Sequence, residues 1–287
     1  LSAFLAGSAY SSMLVERGVQ HVRNKLWART LKLYGYHLAL LLFAFTIAAA
    51  FAAITGRPAL RNLLTFYFDS PAVAIVSGPL LLYQPPLFDI LPMYIVLLGL
   101  TPFLLETTAK QGWSRLLTLS VLVWVFSQVG GRRFLYESVI PLSGLHLPME
   151  AAGSFDLFAW QFLWIAGLWA GTRHAQPSNQ SRVPMAALLL AVPVAVVFFC
   201  WRHGIGGTWD SLALLYPLLD KWHLGILRLL NFVALAIIVT KTILPLFSWL
   251  GASVLSLLGR ASLQAFCAHL VLCVASLGLI VDDETPL

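Results

Sequence analysis

The stretch LFDILPMYIVLLGL, residues 87–100, places a single carboxylate, Asp89, directly before an apolar run that continues to residue 106. A helix needs about 20 apolar residues to cross the hydrocarbon core of a bilayer. Aspartate is a favoured N-cap residue, and proline in the first helical turn removes an N–H that would have no helical partner. The stretch therefore predicts a membrane-spanning helix that begins at Asp89 and carries Pro92 in its first turn.

The whole chain has the composition of a membrane protein. Of its 287 residues, 59% are hydrophobic and 10% are charged, whereas soluble domains carry about 25% charged residues. The net charge is +6, but the basic residues lie between apolar runs, which argues for membrane topology and against nucleic-acid binding. The composition predicts an all-α, polytopic transmembrane helix bundle that forms one domain over residues 1–287.

Other apolar runs support this architecture. Runs at 33–54, 157–172, 183–201, 223–241 and 261–281 are long enough to span, a shorter one lies near 115–130, and 1–14 is partial. The stretches 71–84 and 243–258 are short or interrupted by proline, so they could be re-entrant, interfacial or spanning. The expected total is about eight to ten membrane segments.

The distribution of lysine and arginine predicts the orientation. If residues 14–32 form a cytoplasmic loop, alternation of the spans puts 107–115, 173–182 and 241–260 on the same side. These four segments hold eleven of the 18 basic residues, in keeping with the positive-inside rule. Asp89 is then expected on the outer face, where its helix enters the membrane.

Two histidines are expected at membrane depth, where ionisable residues are costly and are functional candidates by default. His269 follows Arg260 by nine residues, or about 13 Å along a helix. It is either functional or a neutral histidine bonded to a neighbouring helix, and both interpretations place it in the bundle interior. His37 follows Tyr34 by three residues, so both lie on one helix face. The basic segment before them suits an anionic ligand or lipid headgroups.

Further polar and small residues lie in the later helices. Gly167 and Gly171 form a GxxxG pair, which predicts a close helix contact. Gln161 is expected to be a polar contact at the outer mouth of the same helix. Arg228 and Asn231 lie three residues apart; Arg228 either snorkels outward or faces inward and holds a carboxylate.

Motifs of metal sites and hydrolases are absent from the sequence. It contains no HExxH, GxSxG or EF-hand pattern, so a conventional hydrolase or metalloenzyme is not expected. The cysteines at 200, 267 and 273 lie in apolar stretches without a CxxC pattern and are expected to be inert packing residues. No metal site is predicted.

Six segments, taken in order along nearly the whole chain, resemble one known family. They are LSAFLAGSAY, RTLKLYGYHLALLL, FDILPMYIVLLGLTP, FAWQFLWIAGLWAG, LDKWHLGILRLLNFVALA and LGRASLQAFCAHL. Together they are similar to the OpgC-like family, the succinyltransferases of osmoregulated periplasmic glucans within the acyltransferase-3 superfamily. The DILPMY block is the most distinctive of them.

The resemblance implies a multi-pass enzyme of the bacterial inner membrane. Such an enzyme takes an acyl group from a cytoplasmic acyl-CoA, with succinyl-CoA as the expected donor, and esterifies hydroxyl groups of a periplasmic glucan. It implies no bound cofactor. The superfamily uses a histidine in its first membrane helix, about ten residues after an arginine, and Arg17 and His21 do not match that spacing. We therefore expect the chain to begin within the second helix of the family fold, without the main catalytic histidine.

The resemblance also gives roles to polar residues of this sequence. A histidine would act as general base on a sugar hydroxyl, and Asp89 could both cap its helix and orient that hydroxyl. The candidate catalytic relay comprises His37, His269 and Asp89. The candidate donor-binding residues are Arg29, Lys32 and Tyr34. The candidate acceptor-binding residues are Tyr94, Gln161 and Arg228.

A transporter or flippase for an anionic or sugar substrate is the alternative interpretation. Helices broken at Pro92 and Pro245 fit a transporter about as well as an enzyme. Formation of an ester product distinguishes the two, because a transporter moves its substrate without modifying it. The same enzyme class with a different acyl group or acceptor is a further alternative.

Overall fold

The computed structural model describes residues 1–176, 184–205, 215–243, 259 and 261–279. Regular structure in these residues is helical throughout, without a strand. Four of the described helices are long and apolar enough to cross a membrane, and a bent pair of helices is a fifth candidate. The chain is an all-α membrane helix bundle, as its composition predicted.

Helices α1 and α8 form the centre of the bundle. The helices are α1 (Ser2–Thr55), α2 (Pro58–Leu63), α3 (Thr65–Asp69), α4 (Pro71–Ser77), α5 (Ile90–Gln111), α6 (Trp113–Gln128), α7 (Gly131–Val139), α8 (Leu157–His174), α9 (Met185–Arg202), α10 (Tyr216–Leu219), α11 (Ile226–Ile238) and α12 (Ser262–Leu279). α1 packs against α5 and α8, α8 also packs against α6, and α9 packs against α11.

The long apolar runs form the predicted helices. The runs 88–106, 183–201 and 261–281 correspond to α5, α9 and α12, which are candidate membrane spans by length and composition. The run 157–172 lies within α8. The run 223–241 contains α11 and the first part of the π-helix Val239–Ile243 that follows it. The run near 115–130 forms α6, the first half of the bent pair, which turns by 78° into Gly131–Ser143.

The described residues contain four or five candidate spans, fewer than the eight to ten segments predicted. Two predicted segments, 1–14 and 33–54, count as one candidate because both belong to α1, in which two helices are joined by a kink at Gly18. The stretch 71–84 forms the seven-residue helix α4 followed by turns, and a helix of that length is only about 10 Å long. The stretch 243–258 with Pro245, apart from residue 243, lies outside the described residues, as do Arg182 and Arg260.

The basic segment 14–32 is helical on both sides of Gly18, and the predicted turn between two apolar runs is confined to that residue. α1 breaks at Gly18, where φ is 78° and ψ is 167°, and the chain folds back there, because Ser2 and Arg29 line one cavity. Beyond the break, Leu26 is fully buried while Arg29 and Lys32 are exposed. The cations therefore occupy the exposed face of an amphipathic helix, an arrangement that a count of basic residues along the chain does not distinguish from a loop.

The register of α1 and α5 places Arg29 near the Asp89 end of α5. The two helices run antiparallel, because the ring of Trp27 contacts that of Phe103 whereas Arg29, two residues later, reaches Tyr94. Tyr94 is only five residues from Asp89. The Arg29 side chain therefore reaches the Asp89 half of α5, whereas Trp27 and Arg23 of the same segment lie near Phe103 and Glu106, toward the other end. The side of the membrane that Arg29 and Asp89 face stays a prediction.

The GxxxG pair of α8 makes the predicted close contact with the start of α1. A Cβ built on Gly171 would lie 2.0 Å from the carbonyl oxygen of Phe4. A Cβ built on Gly167 would lie 2.8 Å from the Cβ of Ala3. Both distances are shorter than a carbon atom allows, so the two backbones approach this closely only because glycine has no side chain.

We expect Gly171→Ala to lower the free energy of unfolding by about 1–3 kcal/mol, because the added methyl group forces α8 away from α1. Gly35→Ala is the matched control, since Gly35 lies within α1 and a Cβ there meets nothing within 4 Å. The control should gain about 0.5–1 kcal/mol, because alanine loses less backbone entropy in a helix. Thermal melting in detergent measures both variants, and equal melting temperatures would contradict the close contact.

Candidate functional site

A first cavity, of about 610 Å³, opens between α1, α5 and α12. Its wall combines two cations with hydroxyl, amide and apolar side chains. The lining residues are Ser2, Arg29, Lys32, Leu33, Ile90, Leu91, Tyr94, Gly259, Ser262, Leu263, Gln264 and Phe266. The cavity thus joins residues that the sequence analysis assigned to different substrates, because Arg29 and Lys32 were donor candidates and Tyr94 was an acceptor candidate.

The cations of the first cavity are available to a ligand. Arg29 and Lys32 form no ion pair within the described part of the chain. The Arg29 guanidinium donates to the Tyr94 hydroxyl over 3.4 Å, and the Tyr94 ring packs edge-on against Trp164 of α8, with 5.2 Å between ring centroids. Two cations without a carboxylate partner favour a phosphate or carboxylate group in the cavity.

His37 lies one helical turn beyond Leu33, on the same face of α1. Its side chain is 0% exposed. The Nε2 atom lies 3.4 Å from the Gly78 carbonyl oxygen, and Nδ1 has no hydrogen-bond partner among the described residues. A buried polar atom without a partner costs about 1–3 kcal/mol, so its retention calls for a functional explanation. The structure places this predicted histidine in the interior, next to the first cavity.

Residues 78–87, which we call the cover segment, lie against His37. Tyr34 donates to a backbone carbonyl of this segment over 3.0 Å, so its hydroxyl is engaged within the protein, and its role in donor binding stays a prediction. Leu81 and Leu87 adopt left-handed φ angles of 63° and 73°, which cost about 1–2 kcal/mol per residue. Strained backbone of this kind concentrates at active sites and in segments that move.

Asp89 occupies the N-cap position of α5, as predicted, but its carboxylate does not cap the helix. The backbone at Asp89 is already helical, with φ −68° and ψ −17°, whereas a capping residue has extended geometry. The carboxylate instead accepts from the N–H of Ser154 over 3.2 Å and is 5% exposed. Arg132 holds the same loop by donating to the carbonyls of Ala152 and Gly153. Asp89 therefore ties the end of the cover segment to this loop.

The charge of Asp89 has a cost that depends on pH. Burial raises the pKa of the Asp89 carboxyl above its usual range, and the Ser154 N–H offsets part of that shift. A carboxyl whose pKa is raised by folding binds its proton more tightly in the native state. Its contribution to stability is therefore complete below the usual pKa of about 4 and is lost as pH rises through the raised value.

We expect Asp89→Asn to gain stability relative to the wild-type protein as pH rises above about 4, because asparagine carries no charge and still offers an oxygen to Ser154. Thermal melting of both proteins in detergent across that range measures the difference. Asp89→Ala is the contrasting variant and should be less stable by about 1–3 kcal/mol, because the Ser154 N–H loses its partner. Melting curves of Asp89→Asn that parallel the wild type at every pH would contradict the burial of a charged carboxylate.

Gln161 and His269 do not join the first cavity. Gln161 exchanges two hydrogen bonds of 2.8 Å with Ser120, so it links α8 to α6 and is not free for a substrate. His269 is exposed on α12, away from the buried Cys267, and the prediction that it faces the bundle interior is wrong. Its hydrogen-bond contacts within the described residues are with the sulfur of Cys273, at 3.5 Å from Nε2.

A second cavity, of about 890 Å³, opens between α8, α9, α10 and α11. Its wall combines five aromatic side chains and four leucines with two arginines and one amide. The lining residues are Trp160, Leu163, Phe198, Trp201, Arg202, Gly204, Tyr216, Leu219, Leu224, Arg228, Asn231, Phe232 and Leu235. Arg228 and Asn231 share this cavity, but Arg228 is exposed and no carboxylate lines the described wall, so the inward-facing interpretation stays a prediction.

Asp220 and His223, which the sequence analysis did not single out, form a pair next to the second cavity. The Oδ2 atom of Asp220 lies 2.5 Å from Nδ1 of His223, and Oδ1 accepts from the N–H of Trp222. The turn that carries the pair contributes Leu219 and Leu224 to the cavity wall. The sequence carried one signal for this pair: an aspartate three residues before a histidine, in a turn that ends at a glycine. Among the described residues, no group of three or more His, Cys, Asp or Glu side chains could hold a metal ion.

The match to a known family covers nearly the whole chain. A family model described as OpgC protein matches residues 1–285. The chain belongs to the OpgC family. At the level of this family, the chain is a glucan-modifying acyltransferase, and the family that the six sequence segments indicated is confirmed. No curated protein and no solved structure matches the chain.

Proposed function

We propose that this OpgC-family chain transfers a succinyl group from an acyl-CoA to hydroxyl groups of a periplasmic glucan, as a multi-pass protein of the bacterial inner membrane. The observation that carries the proposal is the pair of cations, Arg29 and Lys32, on the wall of the first cavity without an ion-pair partner among the described residues. Succinyl-CoA carries phosphates at one end and a carboxylate at the other, and both groups suit these cations.

In this proposal, His37 is the general base. The sugar O–H bond breaks and its proton passes to the imidazole, while the sugar oxygen bonds to the thioester carbonyl carbon. The C–S bond then breaks and CoA leaves as a thiolate. The thiolate takes from the imidazolium the proton that came from the sugar. A positioned base of this kind contributes about 10²–10⁴-fold to a rate. The unpaired Nδ1 and the position one turn from Leu33 support this role.

The cover segment has to move for a substrate to reach His37, because the imidazole is fully buried. Strain at Leu81 and Leu87 lowers the cost of leaving the closed conformation. Tyr34 and Asp89 act in this proposal as positioning residues, since they hold opposite ends of the segment. His269 has no part in it, because its exposed ring lies away from the buried face of α12.

A transporter or flippase for an anionic or sugar substrate would also use two cavities and a movable segment. Membership of the OpgC family favours the acyltransferase, because this family modifies glucans. The two functions differ in their product: the enzyme leaves an ester on the glucan, and the transporter leaves the glucan unchanged.

The proposal is tested with purified full-length protein in detergent, a neutral glucan and succinyl-CoA. We expect an increase of 100 Da per ester in the mass spectrum of the glucan, together with release of free thiol. Acetyl-CoA in place of succinyl-CoA tests the acyl group, because it lacks the carboxylate. Absence of any glucan ester with either donor, from protein that melts cooperatively, would overturn the proposal.

A further inference from the structure

The second cavity has no role in the acyl-transfer step proposed above, although its wall is built like a binding site. Five of the thirteen described lining residues are aromatic, and Trp160, Trp201 and Tyr216 combine a broad ring with a polar group. Pockets that bind small molecules have this composition, with a few polar groups that orient the ligand. Aromatic rings offer flat surfaces on which the apolar faces of sugar rings can lie.

Asn231 supplies the polar group that most constrains the ligand. Its Oδ1 atom is buried and has no hydrogen-bond partner within the described residues. An amide oxygen only accepts hydrogen bonds, so the missing partner must be a donor. A sugar hydroxyl can donate to this oxygen and can also accept from Arg228, which lies one helical turn earlier on the same cavity wall.

A phosphate group fits this wall less well. It would suit Arg228 and Arg202, as the headgroup of an anionic lipid does. An ionised phosphate has only acceptor atoms, however, so it would leave the Asn231 oxygen unpaired in a buried position. The observed donor and acceptor pattern therefore favours a ligand rich in hydroxyl groups.

The wall is also held rigidly by α6 and α8. The indole N–H groups of Trp124 and Trp160 donate to the carbonyls of Leu224 and Trp222 over 3.0 and 3.1 Å. Gln128 donates to the carbonyl of the next residue in the same turn, His223, over 2.6 Å. The part of the wall that is fixed in this way contributes less to the ordering cost of binding.

We propose that the second cavity binds a segment of the glucan chain, with sugar hydroxyls on Asn231 and Arg228 and sugar rings against the tryptophans. The choice of a glucan as ligand rests on the proposed function. α8 contacts both regions on one face, since Trp160 lines the second cavity and Trp164, one helical turn later, packs against Tyr94 of the first. The glucan is thereby held along α8, close to a residue that lines the donor cavity.

The test measures binding of a neutral β-linked glucohexaose to the full-length protein in neutral detergent, without an acyl donor. Tryptophan fluorescence reports the binding, because Trp160 and Trp201 line the cavity. We expect Asn231→Leu to weaken the affinity about tenfold, through loss of one buried hydrogen bond. The melting temperature of this variant should stay the same or rise, because leucine removes a buried unpaired oxygen. Asn62→Leu, at an exposed position outside the cavity, should bind like the wild type.

Arg228→Gln should also weaken glucohexaose binding, and dihexadecyl phosphate, an anionic phosphodiester without a donor group, should not displace the sugar in mixed micelles. Unchanged affinity in both Asn231→Leu and Arg228→Gln would overturn the inference, and so would displacement by dihexadecyl phosphate or absence of glucohexaose binding. These results do not depend on catalysis, because no donor is present. Binding with the expected variant pattern but without ester formation would refute the proposed acyl transfer and leave the glucan site in place.

Discussion

The double variant Arg29→Gln, Lys32→Gln is expected to raise the KM for succinyl-CoA about 100-fold while changing kcat little. A hydrogen bond to a charged group contributes about 1.5–3 kcal/mol, and each 1.4 kcal/mol corresponds to a factor of ten in affinity. Both side chains are exposed in the first cavity, so water screens them and the lower end of that range applies to each. Steady-state kinetics with purified full-length protein at varied donor concentration measure the change.

Lys25→Gln is the matched control for this double variant. Lys25 is exposed on the same helix but lies outside the wall of the first cavity, so its loss removes one positive charge without removing a ligand contact. We expect its KM for the donor to stay within about twofold of the wild type, because exposed charges act weakly at physiological salt. An equal loss of affinity in the control would ascribe the effect to the net charge of α1, and the first cavity would lose its role as donor site.

Local properties of the sequence predict where the helices of this protein lie. They do not predict which face of each helix is buried. The run 88–106 predicts α5 because length and apolarity are read along one segment. The charge count predicts a loop over 14–32, whereas only Gly18 breaks the helix there and the buried residues, such as Leu26, recur on one helical face. The exposed cations lie on the other face. A count of charge along the chain ignores the helical face, so it indicates a loop where the helix is amphipathic.

The candidate site depends on contacts between side chains of different helices, which the pattern of a single segment does not show. Arg29 and Tyr94 lie 65 residues apart and meet because α1 and α5 run antiparallel. Gln161 has the polarity of a binding residue, but the rotation of α8 directs it to Ser120. The spacing of His269 from Arg260 sets its depth along a helix, yet the packing of α12 decides which face is buried.

His37→Gln is expected to lower kcat for acyl transfer by about 10²–10⁴-fold, with the KM for succinyl-CoA unchanged. The factor is the usual contribution of a positioned general base. An unchanged KM follows because His37 is fully buried and lies outside the wall of the first cavity. Glutamine keeps a polar group of similar reach near the Gly78 carbonyl, so the packing under the cover segment is retained while the titrating imidazole is lost. Single-turnover kinetics with bound donor measure the chemical step directly.

Two further variants separate proton transfer from packing around His37. His21→Gln changes an exposed histidine on the same helix and should leave kcat unaltered, so it controls for the substitution itself. Tyr34→Phe removes the hydroxyl that holds the cover segment and should change kcat by less than His37→Gln, because the imidazole remains. If His37→Gln melts at the wild-type temperature and loses kcat, the loss belongs to the imidazole. A wild-type kcat in His37→Gln would show that the imidazole has no catalytic role. Another residue would then have to be the general base.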